Sequence, residues 1–422
     1  LCCGLYPKII FLDFNHYMMT IPETKKYTPE ELEAILHNIR VFVRERLIPV
    51  ELDLLRCSWK DAVPILEALR HDVKAMGYWT PQIPSAYGGM GLNNYQFGKV
   101  SEILGMSPIG HYVFNCQAPD AGNMEILLHY GTAMQKEQFL QPLLQGKIRS
   151  CFSMSEPENM GSDPRLLSTL ATHDGDSYII KGHKWFTSAA DGAAFAVVMA
   201  VTRPEHANPY QRASMFIVPA DNEGYQLLRN IPVMGDIGEG YYSHAEIIYR
   251  DCRIPVSHRL GETGEGYSIA QSRLGPGRIH HCMRWIGICE RTLEMMCIRA
   301  LQRKNADGVS LSDQQAVMHM IAESRAEIHA ARLMVLDAAE KIDKGGFKAA
   351  KTEISLIKFF VAGVLQRVLD RAIQIYGAAG ISDDSILSWW YRHERGARIY
   401  DGPDEVHKIR VAKEELKKHI KA

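Results

Sequence analysis

Ser177-Tyr-Ile-Ile-Lys-Gly-His-Lys-Trp-Phe-Thr187 reads as a β-strand, and its place in the chain decides the fold. It is rich in β-branched and aromatic residues and follows Asp174-Gly175-Asp176, a turn signal. Phe195 to Val201, Ser214 to Pro219 and His244 to Tyr249 are further short runs of this kind, with Gly, Asp, Asn and Pro between them. They predict a small antiparallel β-domain over residues 150–265.

On either side of it the apolar residues follow a helical period. Thr28-Pro29-Glu30-Glu31 combines an N-cap, a proline at the first helical position and first-turn acids. Ile35, Ile39, Val43 and Leu47 then recur every four residues, and Pro49 stops the run. Further helical segments are predicted near 60–76, 93–106 and 119–145, around a turn-rich loop from Trp79-Thr80-Pro81 to Gly88-Gly89-Met90-Gly91. These make an N-terminal helical domain, 25–149. Beyond the strands, Ile279, Met283, Ile286, Leu293 and Ala300 mark one long helix, and Val317, Met320, Ile321, Ile328, Ala331 and Val335 a second. Stretches near 348–376 and 404–419 complete a predicted four-helix bundle over 266–422.

Composition bounds the function. The chain has 422 residues, with 48 basic and 49 acidic side chains and a formal charge of −1. That balance provides no global field for nucleic acid or an anionic membrane. No apolar run reaches the ~18 residues of a membrane span. Nine scattered cysteines without a C-x-x-C pair predict reduced, packed thiols, and Cys151 is read as one of them. Leu1 to Ile21 is apolar but interrupted by Lys8, Asp13, Asn15 and His16, and lacks the features of a signal peptide. The chain ends His419-Ile-Lys-Ala422, not in the S-K-L peroxisomal signal. The expected location is mitochondrial or peroxisomal in a eukaryote, cytoplasmic in a bacterium.

There is no Walker A, H-E-x-x-H or G-x-S-x-G motif, and no metal site is expected. Three other segments hold candidate chemistry. Cys151-Phe-Ser-Met-Ser-Glu-Pro157 with Gly161-Ser162-Asp163 offers hydroxyls and loop amides to a heteroaromatic edge or a phosphate. In Lys184-Trp185-Phe186-Thr187-Ser188 the two-residue spacing predicts Trp185 and Thr187 on one strand face, a wall and a donor for a flat redox ring. Gln374-Ile-Tyr-Gly377-Ala-Ala-Gly380 and Arg398-Ile-Tyr-Asp401-Gly-Pro-Asp404-Glu405-Val-His407 place glycines at a helix end and a carboxylate in a turn.

Taken together, these segments resemble the acyl-CoA dehydrogenase family over nearly all of residues 25–420. Phe152-Ser-Met-Ser-Glu-Pro157 and Gly161-Ser162-Asp163 are similar to its Y-x-x-T-E-P…G-S-D signature, and Trp185-Phe186-Thr187 to its W-I-T. Gln374 to Gly380 is similar to Q-x-x-G-G-x-G, and Tyr400-Asp401-Gly402 stands at its Y-E-G-T site. Val113-Phe-Asn-Cys-Gln-Ala-Pro-Asp120, Leu140-Gln-Pro-Leu-Leu-Gln-Gly146 and Asp401 to His407 resemble the branch of acyl-CoA dehydrogenase family members 10 and 11. The resemblance implies a mainly α chain: a helical domain, a middle antiparallel β-barrel domain and a C-terminal four-helix bundle.

It also implies an FAD-dependent acyl-CoA dehydrogenase. Phe152, Ser155, Ser162, Trp185 and Thr187 would hold FAD in one subunit. Arg303, Gln374 and Gly377 would reach it from a neighbour, in a homodimer or homotetramer. Asn305-Ala306-Asp307-Gly308 replaces the aromatic that usually follows the Arg303 segment. Asp401 would be the base for the α-proton of an acyl-CoA substrate, with hydride passing to flavin N5. Arg278 and Gly402 would support substrate binding, and an electron-transfer flavoprotein would accept the electrons. Asp401 is one methylene shorter than the usual Glu, a loss of about 1.5 Å of reach. The alternative base position of some relatives is occupied by Gly277, and Asp404 and Glu405 are lesser candidates. Desolvation is expected to raise the carboxyl pKa. Two other readings stay open: a non-catalytic acyl-CoA-binding flavoprotein, and a dehydrogenase for 4-hydroxy- or 4-phosphooxy-acyl-CoA.

Overall fold

Thr28 starts the first helix as its sequence predicts. In α1 (Pro29–Phe42) the Thr28 hydroxyl accepts the Glu31 amide at 3.2 Å, and the Glu31 carboxylate accepts the Thr28 amide at 2.8 Å. Two first-turn donors are thereby satisfied. The computed structural model describes residues 27–420, so Leu1 to Ile21, Cys2, Cys3 and the terminal Lys421-Ala422 lie outside the described residues. The buried face of α1 is Leu32, Leu36, Ile39 and Phe42, and the predicted Ile35 is half-buried at its margin. Helices α2 (Trp59–Ala75), α3 (Asn94–Gly105) and α4 (Asp120–Tyr130) follow. The single helix predicted over 119–145 is interrupted at Gly131, whose backbone is extended (ψ 138°). Thr132 and Gln135 then form a second capping box, and helical turns continue to Leu144. Local capping outweighs the continuous apolar pattern there.

The middle region is an eight-stranded sheet: β1 (Ser150–Ser153), β2 (Leu170–Asp174), β3 (Ser177–Ser188), β4 (Phe195–Val201), β5 (Ala213–Pro219), β6 (Tyr225–Asn230), β7 (His244–Pro255) and β8 (Arg259–Leu260). The order is β6-β7-β3-β2-β4-β5-β8. Most pairings are antiparallel, but β1 runs parallel to β4, and β2 touches β4 in parallel. The path ends at β6 and β8 rather than closing on itself. The β2–β3 hairpin turns through Gly175 at φ +63°, a conformation that costs glycine little.

Strand β4 is buried at every position. Phe195, Val197 and Met199 join Met215 and Ile217 of β5 against Leu127, Phe139, Leu140 and Leu143 of the helical domain. Ala196, Val198 and Ala200 face the opposite layer, with Tyr178, Ile180, Ala245, Ile247 and Tyr249. A strand covered on both faces shows no apolar alternation, which explains its continuous apolar sequence.

The C-terminal region is built on α5 (Gly266–Gln302), α6 (Gln315–Ala349), α7 (Lys351–Tyr376), α8 (Ile386–His393) and α9 (Asp404–Lys417). Helices α5, α6 and α7 share one core, in which Trp285, Ile286, Ala331, Val335, Val361 and Leu365 are fully or almost fully buried. Helix α9 lies on α7 and buries only Asp404 and His407. Helix α3 of the N-terminal region packs against both α5 and α6, so the two helical regions are one packed body. Among the described residues, no helix is long and apolar enough to cross a membrane.

The α3–α5 crossing is close because both helices carry glycine there. A Cβ at Gly287 would fall on the Glu102 carbonyl, and one at Gly105 on the Arg284 carbonyl. Gly287→Val is expected to destabilise the protein by about 3 kcal/mol through overpacking. Thermal unfolding followed by circular dichroism checks this; an unchanged melting temperature would show that the helices can separate without cost.

Candidate active site

Two clusters hold the candidate residues. The first is the loop that follows β1. Glu156 and Lys184 are 1% and 0% exposed and lie 2.9 Å apart. Lys184 also donates to Met154 O (2.8 Å), while Glu156 accepts the amides of Ser168 and Thr169 and the Ser168 hydroxyl. Trp185 N–H donates to Ser155 O (3.1 Å). The motif loop is thus tied to β3 by one buried ion pair and one backbone bond. Burial pushes Glu156 up, but Lys184 and the loop donors outweigh it and hold the carboxyl at about 2. Burial brings Lys184 down to about 8 against the pull of Glu156.

The expectation for Trp185 and Thr187 changes here. Phe186 has φ +48°, and the β3–β7 register shifts between Lys184 and Thr187. This bulge breaks the two-residue alternation. Lys184 and Thr187 both end up fully buried, Trp185 half-buried and Phe186 exposed. Thr187 Oγ1 lies 3.2 Å from Ser153 Oγ. Ser155 and Phe152 are half-buried, and Ser162 is exposed. The Arg273 guanidinium sits 4.1 Å over the Phe152 ring. Asn123 and Asp120 of α4 hold Ser150 and Cys151 at the start of the same strand. Burial pushes the Cys151 thiol up to about 12, the chemistry of a packed thiol.

The second cluster surrounds Asp401. Its backbone is left-handed (φ +56°), and Gly402 follows at φ +96°. Arg278 Nε donates to Asp401 O at 3.0 Å, and His407 Nε2 lies 3.1 Å from the same oxygen. Lys358 Nζ donates to Ala397 O (2.6 Å) and Gly402 O (3.3 Å). These bonds hold a backbone shape that a non-glycine residue rarely adopts. The Asp401 side chain is 19% exposed, with Oδ2 3.3 Å from His281 Nε2. Burial pushes its carboxyl up, but His281, Arg278, Lys358 and Arg273 outweigh burial and leave it below the usual aspartate range. The expected upward displacement is therefore absent in the free protein, because Arg278, Lys358 and Arg273, together with His281 when it is protonated, dominate. Burial brings His281 and His407 down to about 4, so both are neutral at pH 7.

Asp404 is buried and bonded to Arg398 Nε (2.7 Å), and Glu405 is exposed. Residues that sequence reasoning missed are His281, Lys358, Arg273 and the Glu156–Lys184 pair. Only His281 carried a local signal, one helical turn after Arg278.

Arg303, Gln374 and Gly377 are not brought to Asp401. All three are exposed. Arg303 lies about 37 Å along α5 from Arg278 at 1.5 Å per residue. The ends of α5 and α7 meet, with Arg299 donating to Tyr376 O at 3.3 Å, so these residues share the far end of the bundle.

The three regions each match a domain of one family. The acyl-CoA dehydrogenase N-terminal domain matches residues 29–147, the middle domain 151–252 and the C-terminal domain 264–416. The chain belongs to the acyl-CoA dehydrogenase family. Acyl-CoA dehydrogenase family member 11 of Gallus gallus is 40% identical over 401 residues, covering 92% of this chain and 51% of the relative. Family member 10 of Mus musculus is 42% identical over 389 residues, 89% of this chain and 36% of the relative. The chain thus spans about half or less of the length of these relatives. A solved structure of the acyl-CoA dehydrogenase class from Mycobacterium abscessus superposes with a TM-score of 0.89 at 35% identity, over 94% of this chain and all of that one.

The Glu156–Lys184 pair makes a stability prediction for this family member. A carboxyl held at about 2 contributes stability above the unfolded value near 4.5 and loses it as pH falls towards 2. Glu156→Gln leaves a buried ammonium without its partner and is expected to cost about 3–5 kcal/mol at pH 7. Denaturant unfolding at pH 7 and pH 3 checks this: the gap between wild type and variant should narrow at the lower pH.

Proposed function

We propose that this chain is an FAD-dependent acyl-CoA dehydrogenase that oxidises an acyl-CoA thioester to a 2-enoyl-CoA, with Asp401 as the base. The observation that carries this reading is the ionised, part-exposed Asp401 carboxylate on a backbone turn held by Arg278, His407 and Lys358.

The residues around the first cluster fit a flavin. Half-buried Phe152, Ser155 and Trp185 adjoin the buried hydroxyls of Ser153 and Thr187. Hydroxyls, loop amides and ring faces suit a flat heteroaromatic group with a polar edge. Ser162 stands in the exposed loop beside them, where a phosphate has access to it. Arg303, Gln374 and Gly377 would serve the flavin of a second copy, since the length of α5 keeps Arg303 from its own site. That reading calls for a homodimer or homotetramer. Bound there, FAD would supply the acceptor for a hydride leaving Cβ, and an electron-transfer flavoprotein would be the partner that takes the electrons.

The protein's own task is the α-proton. Asp401 accepts it on a carboxylate oxygen. As the acyl chain displaces water, the carboxylate loses solvation and its pKa rises, which strengthens the base. Arg278 holds the Asp401 carbonyl, and Gly402, which has no side chain, leaves room for His407 Nε2, which a Cβ there would meet at 2.9 Å. A backbone N–H must polarise the thioester carbonyl for so weak a carbon acid to react.

A second reading concerns the substrate. Arg273, Arg278 and Lys358 all act on Asp401, while Glu125 and Asp120 act on Arg273 and Asp404 on Lys358. The cations facing Asp401 would suit an acyl chain with an added anionic or polar group, as in 4-phosphooxy- or 4-hydroxy-acyl-CoA.

Purified protein should be yellow, and a saturated acyl-CoA should bleach it without oxygen. Asp401→Asn should keep its flavin and bleach about 10³-fold more slowly, within the range for a lost general base. Bleaching at the wild-type rate would remove Asp401 as the base. Tight acyl-CoA binding with no bleaching at any chain length, with or without 4-substituents, would favour a non-catalytic binding protein.

A further inference from the structure

We propose that His281 is the positioning residue for Asp401: its Nε2 stands 3.3 Å from the carboxylate, near enough to donate a proton to it after a small turn of the ring, and so aims a short side chain at the substrate. This rests on the reading of Asp401 as the base.

The Asp401 backbone is fixed by Arg278, His407 and Lys358, but those bonds go to carbonyl oxygens and leave the side chain to rotate. A base must meet its proton within hydrogen-bond reach, and small misplacements cost large factors in rate. The group that meets the Asp401 side chain is His281, whose Nε2 is 3.3 Å from Oδ2. It lies one turn after Arg278 on α5, so one helix face holds both the carbonyl and the carboxylate of Asp401.

His281 is itself held. Its ring lies nearly parallel to Trp285 (19° between planes, centroids 6.0 Å apart) and 5.4 Å from Tyr400. Trp285 Nε1 donates to Glu394 at 3.1 Å, and Arg284 bonds both Glu394 and the Tyr400 hydroxyl. The imidazole therefore lies against two aromatic rings that also contact each other (centroids 6.1 Å apart) and that are pinned by the Arg284–Glu394 pair.

The surroundings set its charge. From α5, Arg278, Arg284, His280 and Cys282 face the pair; from α7, Lys358; from the segment before Asp401, Glu394 and Tyr400. Arg273 adds a further cation from α5, His407 lies on α9 beside Asp401, and His111 approaches from the short helix Gly110–Val113. In this cation-rich, buried setting a second charge at position 281 is disfavoured. A neutral donor suits the chemistry. A cationic partner would hold Asp401 ionised too firmly to be a good base, whereas a neutral N–H orients it at a smaller cost in basicity.

The test uses the flavin-loaded enzyme and the rate of anaerobic bleaching by a saturated acyl-CoA across pH. His281→Leu should lower the maximal rate about 10–100-fold, with flavin content and acyl-CoA affinity changed less than threefold. Its acid limb should move to higher pH, because ionised Asp401 has lost a donor. His281→Gln, which keeps an N–H, should recover much of the rate and return the limb. An unchanged rate and limb in His281→Leu overturns the proposal, and so does a Gln variant no better than Leu with an unmoved limb, which would mark a packing role. Nitrogen-15 histidine spectra of the wild type and of Asp401→Asn add a readout that needs no new variant at 281. The His281 signals should show an Nε2–H tautomer that shifts when the carboxylate becomes an amide; no shift overturns the pairing. Asp401→Asn assayed in parallel separates the two failures. If it keeps its rate, Asp401 is not the base and this role for His281 falls with it; if it is inert while His281→Leu is intact, only the His281 proposal falls.

Discussion

Helix α5 constrains the rest of the molecule because neighbours cover it along its length. Its first residue, Gly266, lies against the Ser214 backbone of β5; its middle crosses α3 at Gly287; its inner face shares a core with α6 and α7. A helix buried this way cannot shift along its axis without opening a core on several sides. Arg273, Arg278, His281, Arg284 and Trp285 all project from it, so the geometry of the candidate site is inherited from a rigid element. The motif loop and the Asp401 turn are irregular segments, and each is fixed by bonds to a regular one: β3 through Lys184 and Trp185 N–H, α5 and α7 through Arg278 and Lys358.

Both polar clusters bury charge, and they do so differently. Glu156 and Lys184 form a closed pair whose remaining bonds go to loop amides and a carbonyl, so its polarity is spent on structure. Around Asp401 the cations are more numerous than the carboxylate, and several of their hydrogen bonds go to backbone oxygens. Attraction that is spent on carbonyls fixes the turn but leaves the Asp401 carboxylate free to exchange its surroundings. An ion pair closed on itself serves structure, whereas a carboxylate whose cationic neighbours are bonded elsewhere stays available to a change of charge or of ligand.

Local chemistry was legible in the sequence. Thr28 and Glu31 announce a helix start, and Asp174-Gly175 a hairpin, because caps and turns are decided by neighbours a few residues apart. The three-region order was legible for the same reason, repeated along the chain. The resemblance of four motifs added Asp401, which composition and period alone would have left as a turn former. What was not legible depends on long-range packing. Lys358 reaches the turn from 44 positions away and Arg278 from 123. Nothing near Lys358 in the sequence marks it as other than a helix-surface lysine. The face shared by Trp185 and Thr187 was misjudged because a bulge at Phe186 resets the period, and a bulge leaves little trace in residue type. The fall in the Asp401 pKa was misjudged because burial was weighed without the cations that packing brings to it.

Those cations also change the meaning of a near-zero net charge. A formal charge of −1 over 422 residues describes a far field and says nothing of one cavity. At the Asp401 turn, Arg273, Arg278 and Lys358 act on the carboxylate, and the two imidazoles there, His281 and His407, are brought down to about 4, mainly by burial. Were these imidazoles charged, they would add to that cationic field. Kept neutral, they add polar N–H groups without adding charge. Histidine is suited to this because its ring gives up its charge at a modest cost in free energy, whereas lysine and arginine keep theirs. The fixed charges and the neutral rings are then separate side chains, so that the field at Asp401 and the nearest contact to its carboxylate are set by different residues.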